Sequence, residues 1–150
     1  MKQAPDFLRI EENMRTGPLA AHDFLGSDER SLAAIIYHDR LLLEQLGLTA
    51  KDFAQRMRYF SSKAGADAGP QIVDGKFAVE RAEYIGRILC PFADNFQAPK
   101  AVITVVNKEL GKKVVWSDLN VHLIEEHGFF EGEGAPFRIE PSFYAEVLEI

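Results

Sequence analysis

The sequence predicts a two-layer α+β protein, in which a helical N-terminal half is followed by a roughly four-stranded antiparallel sheet and C-terminal helices. In residues 1–65 the apolar side chains recur with the helical period, whereas in residues 70–116 they alternate or run continuously, as in strands. Residues 117–150 return to a helix, a loop rich in aromatic and acidic residues, and a short last helix. A length of 150 residues suits a single globular domain, so residues 1–150 are assigned to one.

Residues 1–65 predict four helical segments. They end, in order, at Gly17-Pro18, Gly26, Gly47 and Gly65. Ser27 and Thr49 are the predicted N-caps of the third and fourth segments, because a hydroxyl oxygen can accept a hydrogen bond from a free N–H group of the first turn. Asp52, three residues after Thr49, completes an approximate capping box.

Residues 70–116 predict two β-hairpins. Asp74-Gly75 supplies the positive φ angles that a tight hairpin turn requires. The apolar phase then switches near Arg81, which indicates a bulge or a bend in that strand. A second hairpin is predicted from Ala101–Asn107 to Val114–Trp116, and the next helix follows it directly.

The charge distribution is uneven and limits the classes of partner. The net charge is −6, but residues 118–150 contain one basic residue, Arg138, and eight acidic residues. Such a surface repels phosphate, so no nucleic-acid partner is expected, whereas a metal cation, a basic protein partner or plain solvation all remain open. The single cysteine, the absence of a signal-peptide pattern and the absence of a long apolar run predict a cytoplasmic protein without a membrane partner.

The strongest chemical signal is a set of zinc-ligand residues. His122 and His127 lie on a helix that Ser117 begins and Gly128 ends, and Cys90 ends a strand-like run. Thiolate and imidazole are the usual ligands of zinc. The segment Leu119-x2-His122-x4-His127 resembles the second half of a Cys-Cys-His-His zinc finger and, like that half, follows a hairpin. The cysteine pair of that family is absent, so its fold and its DNA binding are not implied.

A tentative zinc site therefore consists of Cys90, His122 and His127, with Asp94 or Glu126 as a candidate fourth ligand. The spacing raises a difficulty, since residues five apart on an ideal helix point about 140° from each other. The alternative is that these residues bind no metal. The cysteine is then an ordinary buried residue, and the histidine at the helix end is favoured by the helix dipole.

Two enzyme classes are also open. In a metal-dependent hydrolase, Cys90, His122 and His127 would hold the ion, and Glu125 or Glu126 would act as general base. In a cysteine–histidine enzyme, Cys90 would be the nucleophile, which requires a lowered pKa and a neighbouring base.

The loop after the His-x4-His helix predicts a second surface. Phe129, Phe130 and Phe137 are candidate ligand or partner contacts, and Arg138 is a candidate clamp for a carboxylate; alternatively these aromatic residues pin the loop to the core. Asp39 lies on the apolar stripe of the long helix, which predicts either a break in that helix or an ion pair with Arg40 or Arg58.

We predict from these patterns a small non-enzymatic module for self or partner association, with a zinc ion as its one candidate cofactor. Open strand edges in a four-stranded sheet make a homodimer reasonable, and a protein partner remains an alternative. The sequence leaves the substrate, the partner and the pathway open.

Overall fold

The computed structural model describes residues 3–17 and 19–150, so Pro18, part of the predicted Gly17-Pro18 stop, lies outside the described residues. Within these residues, five α-helices and a four-stranded antiparallel sheet confirm the α+β prediction. The helices are α1 (Pro5–Thr16), α2 (Leu32–Leu46), α3 (Ala50–Ser61), α4 (Asp118–His127) and α5 (Pro141–Leu148). The strands are β1 (Gln71–Val73), β2 (Phe77–Leu89), β3 (Gln97–Asn107) and β4 (Lys112–Ser117). No helix among the described residues has the length and apolar character needed to cross a bilayer.

The sheet is a meander in the order β1-β2-β3-β4. Its first turn uses Asp74 and Gly75 at positive φ, as predicted. The predicted irregularity in β2 lies later than Arg81: the register shifts between Tyr84 and Arg87, where Gly86 adopts a φ of 113°. Glycine adopts this conformation without the steric cost that a Cβ atom would add.

Strands β2 and β3 are longer than their neighbours. They pair from Phe77↔Asn107 to Leu89↔Gln97, whereas β4 reaches only as far as Val102 on β3. Beyond these contacts, residues 82–89 and 97–101 form a two-stranded ribbon with no neighbouring strand among the described residues. The turn 90–96 lies at the end of this ribbon, over α4.

Capping residues fix most helix boundaries as the sequence predicts. Thr49 and Ser117 both form capping boxes, and Gly47 and Gly128 end α2 and α4 in the left-handed conformation. The predicted cap at Ser27 is wrong, because Ser31 caps α2 through a hydrogen bond from Ala34 N. Residues 24–30 instead form a loop that pairs with the C-terminal loop, where Ser27 N–H donates to Glu133 O at 3.0 Å.

Two apolar clusters form the core and meet at α4. The first lies between the sheet, α3 and α5, around Phe60, Phe77 and Trp116. The second joins α1 and α2 to the turn 90–96 and includes Met14, Ile35, Cys90, Phe92 and Phe129. Helix α4 contributes Val121 and Ile124 to the first cluster and Leu119 and Leu123 to the second. Packing on two sides fixes the rotation of α4, and therefore the direction in which its remaining side chains point.

The helix α2 does not break at Asp39, which corrects the sequence prediction at that position. Asp39 is fully buried and pairs with Arg138 rather than with Arg40 or Arg58. The Arg138 guanidinium donates two hydrogen bonds to the Asp39 carboxylate, at 2.5 and 2.9 Å, and a third to the backbone oxygen of Glu131 at 2.8 Å. The pair therefore holds the C-terminal loop against α2.

We expect Arg138→Met to lower the free energy of unfolding by about 3–5 kcal/mol, because it leaves the Asp39 carboxylate buried without a partner. The double variant Asp39→Leu/Arg138→Met should lose less, since it removes both charges. Urea unfolding measures both. The exposed pair of Arg40 and Glu44 supplies the control, for which Arg40→Met should cost less than about 1 kcal/mol. If Arg138→Met also lowered the free energy of unfolding by less than about 1 kcal/mol, this result would contradict a structural role for the buried pair.

Candidate metal centre

Four potential metal ligands converge where the β2–β3 turn meets the C-terminal end of α4. They are Cys90, Asp94, His122 and His127, and their ligand atoms all lie within 4.8 Å of one another. Cys90 directly follows β2 and Asp94 lies in the turn, while both histidines belong to α4. Thiolate, carboxylate and imidazole are all zinc ligands. The cluster could therefore hold a metal ion.

One of the distances between these atoms matches a tetrahedral zinc site, and two are shorter than such a site requires. The Cys90 Sγ atom lies 3.6 Å from His127 Nε2, and ordinary zinc bond lengths place sulfur and nitrogen ligands about 3.6 Å apart. Asp94 Oδ2 lies 2.7 Å from His122 Nε2 and 2.8 Å from His127 Nε2. Zinc would require about 3.3 Å for these oxygen–nitrogen pairs, so the carboxylate would move outward by about half an ångström.

The turn is built to present Asp94. Its ends are joined by a hydrogen bond from Cys90 N to Phe96 O at 2.8 Å, and Phe96 N donates to Asp94 Oδ1 at 3.0 Å. This second bond leaves Oδ2 directed at the two histidines. Ala93 and Asn95 adopt positive φ angles of 59° and 63°. Such a conformation costs about 1–2 kcal/mol for a residue with a Cβ atom, and strain of this kind is typical of ligand-binding segments.

Two phenylalanines set the orientation of the histidine rings. Phe92 stacks on His127 with ring centroids 4.1 Å apart, and Phe96 stacks on His122 at 3.7 Å, each pair within 7° of parallel. The helix keeps its regular end at Gly128, yet both Nε2 atoms reach one carboxylate oxygen. The divergence of about 140° that the five-residue spacing gives on an ideal helix therefore does not keep the two imidazole rings apart.

The polar groups of the cluster shift one another's pKa values. Burial raises the pKa of Asp94, but hydrogen bonds from Phe96 N–H, His127, His122 and Cys90 outweigh it and hold that pKa well below its usual range. Burial is also the main reason why the pKa of the Cys90 thiol rises to about 12, and the neighbouring Asp94 carboxylate adds to the effect. A bound cation would reverse this preference, because it stabilises the thiolate.

The environment of Cys90 is unlike that of a cysteine nucleophile. Its side chain is only 1% exposed, and its pKa is raised rather than lowered. A nucleophilic cysteine needs access to substrate and a stabilised thiolate. These observations favour a ligand or core role for Cys90 over catalysis.

The other predicted site residues lie outside this cluster. Both carboxylate oxygens of Glu125 bind the Arg58 guanidinium, at 2.5 and 2.7 Å, and Glu126 is exposed on α4. Phe129 and Phe130 are fully buried in the core, so they form no exposed ligand or partner surface. Phe92 and Phe96 are not among the site residues that the sequence predicts, although aromatic residues on both sides of Asp94 indicate such stacking.

Comparisons with protein-family models, with curated proteins and with solved structures found no match to this chain. The likeness of α4 to half of a zinc finger is therefore confined to the two histidines and the leucine before them. The other two potential ligands, Cys90 and Asp94, come from a hairpin turn with a different spacing. What the cluster does must be inferred from its own geometry and surroundings.

Proposed function

We propose that the protein is a non-enzymatic module for self-association, in which a zinc ion fastens the β2–β3 ribbon to α4. The observation that carries this proposal is the convergence of Cys90, Asp94, His122 and His127, whose ligand atoms all lie within 4.8 Å of one another. The ion would join the turn 90–96 to the end of α4, two segments that are far apart in the chain. A zinc ion bound in this way stabilises the folded state by its own binding free energy.

A structural role fits the number and setting of the ligands. Structural zinc sites use four protein ligands, whereas catalytic sites keep one position for water or substrate. Here the protein offers four candidate groups, with Cys90 buried beneath and the rings of Phe92 and Phe96 covering the histidines. A thiolate ligand must stay reduced, which agrees with the proposed cytoplasmic location.

Exposed apolar side chains and an open strand edge on the ribbon support self-association. Ile85 is 99% exposed, Tyr84 61% and Leu89 41%, and all three lie on the part of β2 that has no outer neighbour among the described residues. An apolar strand with an open edge is a template for pairing with another strand. A second copy offers the same edge, so two ribbons can pair around a two-fold axis.

A hydrolase-type metal enzyme is the second candidate, and one observation favours it. A cleft of about 190 Å³ opens beside His122 and is also lined by Arg58, Phe96 and Asp118. If Asp94, the most exposed of the four candidate ligands, left the ion, water could take its place next to this cleft. Glu125, one of the two predicted general bases with Glu126, would first have to leave Arg58.

We expect the protein, purified without added metal, to contain about one zinc ion per chain, measured by atomic emission. Cys90→Ala and His122→Ala should each lose most of it, because three ligands bind zinc far less tightly than four. His38→Ala is the matched control, since this histidine is on the exposed surface of α2 and away from the cluster. Failure of the unaltered protein to bind zinc, even when zinc is supplied in excess, would exclude both metal proposals.

The cobalt-substituted protein separates the two candidates. Four protein ligands should give a tetrahedral cobalt spectrum that does not change when azide or thiocyanate is added, because no position is open to them. The sulfur-to-cobalt charge-transfer band should disappear in Cys90→Ser. A spectrum that shifts with added anion would indicate an exchangeable position and would favour the hydrolase.

We expect the protein to sediment as a dimer at micromolar concentration and Ile85→Asp to sediment as a monomer, because the charge would be buried in the ribbon interface. The substitution should leave the thermal midpoint of unfolding of the isolated chain unchanged, since this side chain has almost no contacts. Leu110→Asp, in the turn between β3 and β4, is the control for an exposed apolar residue elsewhere. A monomeric unaltered protein would rule out self-association.

A further inference from the structure

A second potential site is a pocket at the N-terminal end of α4, lined there by Ser117 and Leu119. Its volume is about 180 Å³, and apolar side chains form most of its wall, among them Phe24, Ile88, Leu119 and Phe137. A cavity of about 150 Å³ with apolar walls accommodates a benzene molecule. The pocket is therefore large enough for one ring or a short branched chain.

One carboxyl group of this pocket lacks a full set of hydrogen bonds. The Glu131 side chain is 3% exposed, and its Oε2 atom accepts a hydrogen bond from Asn120 Nδ2 at 2.8 Å. No hydrogen bond to its Oε1 atom is present among the described residues. Because no fully buried side-chain oxygen there is unpaired, Oε1 keeps some accessible surface, and we infer that this surface opens on the pocket that Glu131 lines.

The groups around Glu131 do not supply a counter-charge. Arg138 binds the backbone oxygen of Glu131, but its guanidinium is paired with Asp39. Asn120 cannot offer a second hydrogen bond, because its Nδ2 group donates to Glu131 and to the backbone oxygen of Phe137, while its Oδ1 atom accepts from Ser117. Lys100 lies on the pocket wall with His22 and Tyr84, and Asp23 adds a repulsive charge nearby. A carboxyl group in this setting is held in its neutral form.

The acid–base behaviour agrees with that conclusion. Burial raises the pKa of Glu131 to about 8, although Asn120 and Arg138 oppose the shift. At neutral pH most of the molecules then carry a protonated carboxyl group, which can donate a hydrogen bond through its O–H group. Lys100 on the wall also disfavours a cationic ligand.

We propose that this pocket binds an uncharged molecule of about one ring that carries one hydrogen-bond acceptor, such as a carbonyl oxygen, and that the Glu131 carboxyl group donates to that acceptor. The walls would take up the apolar part of the molecule. Glu131 would discriminate between ligands, since a ligand without an acceptor would leave the polar oxygen of Glu131 facing an apolar group. The site does not depend on the proposed zinc ion or on self-association.

Three probes of similar size test the proposal on the full, zinc-supplemented chain at pH 7. Acetophenone has a carbonyl acceptor, ethylbenzene has none, and 1-phenylethylamine is a cation. Protein-observed NMR titration should show acetophenone binding at least about tenfold more tightly than the other two, which corresponds to one hydrogen bond made to a buried group. The shifted signals should include those of Leu119 and Phe137.

Two substitutions at one position then identify the hydrogen bond. Glu131→Gln should keep acetophenone affinity within about threefold, because the carboxamide can accept from Asn120 and still donate to the ligand. Glu131→Leu should lose about tenfold, with Glu126→Gln as an exposed control. Val102→Phe, which fills the pocket and keeps Glu131, should abolish binding even if Glu131→Leu does not fold.

Other results would overturn the proposal. Tightest binding of the amine, lost in Glu131→Gln, would show that Glu131 is an anion that binds cations. Equal binding of acetophenone and ethylbenzene would show an apolar cavity without polar recognition. Absence of saturable shifts with acetophenone, or shifts that persist in Val102→Phe, would show that the pocket is not the binding site.

Discussion

Helix α4 is packed against apolar side chains on two sides, and this constraint determines where every functional group in the C-terminal half can lie. Leu119 and Leu123 face one cluster, and Val121 and Ile124 face the other. The helix cannot rotate without exposing one of these pairs to water, at a cost of about 1.5–3 kcal/mol for each side chain. Its polar residues are consequently fixed: His122 and His127 meet the hairpin turn, and Asn120 meets Glu131.

Polar contacts of the C-terminal loop also restrict how this half of the protein can pack. The loop after α4 bears Glu131 and Arg138, and each meets a buried partner, Asn120 in one case and Asp39 in the other. These buried polar groups restrict how the loop can pack, since an alternative packing would leave them without hydrogen-bond partners. The loop also comes very close to residues 25–27: a Cβ atom on Gly132 would lie 2.4 Å from Leu25 O. Glycine is therefore required at that position for the two segments to touch.

Much of the fold could be predicted from local signals, because caps and turns act over a few residues. The boxes at Thr49 and Ser117 and the turn at Asp74-Gly75 all lie where the sequence places them. Long-range pairing could not be predicted in the same way. Nothing near Asp39 in the chain identifies Arg138 as its partner, and the local reasoning instead suggested Arg40 or a helix break. Similarly, the ligand types at Cys90, His122 and His127 were visible, but the stacking of Phe92 and Phe96 that turns the two rings depends on the turn lying over α4.

The charges of the four candidate ligands bear on the choice between a structural and a catalytic ion. Thiolate and carboxylate contribute two negative charges, and the two neutral imidazoles none, so a bound Zn²⁺ would give a site with no net charge. A neutral site suits the apolar cluster around Cys90, since an uncompensated charge there would be costly to bury. The same neutrality makes the ion a weaker Lewis acid than a zinc held by three histidines, which keeps its full positive charge for the activation of water. A neutral ligand set would allow an ion to be buried at this position. The same ligand set would favour a structural role, in which the ion holds the hairpin turn against α4.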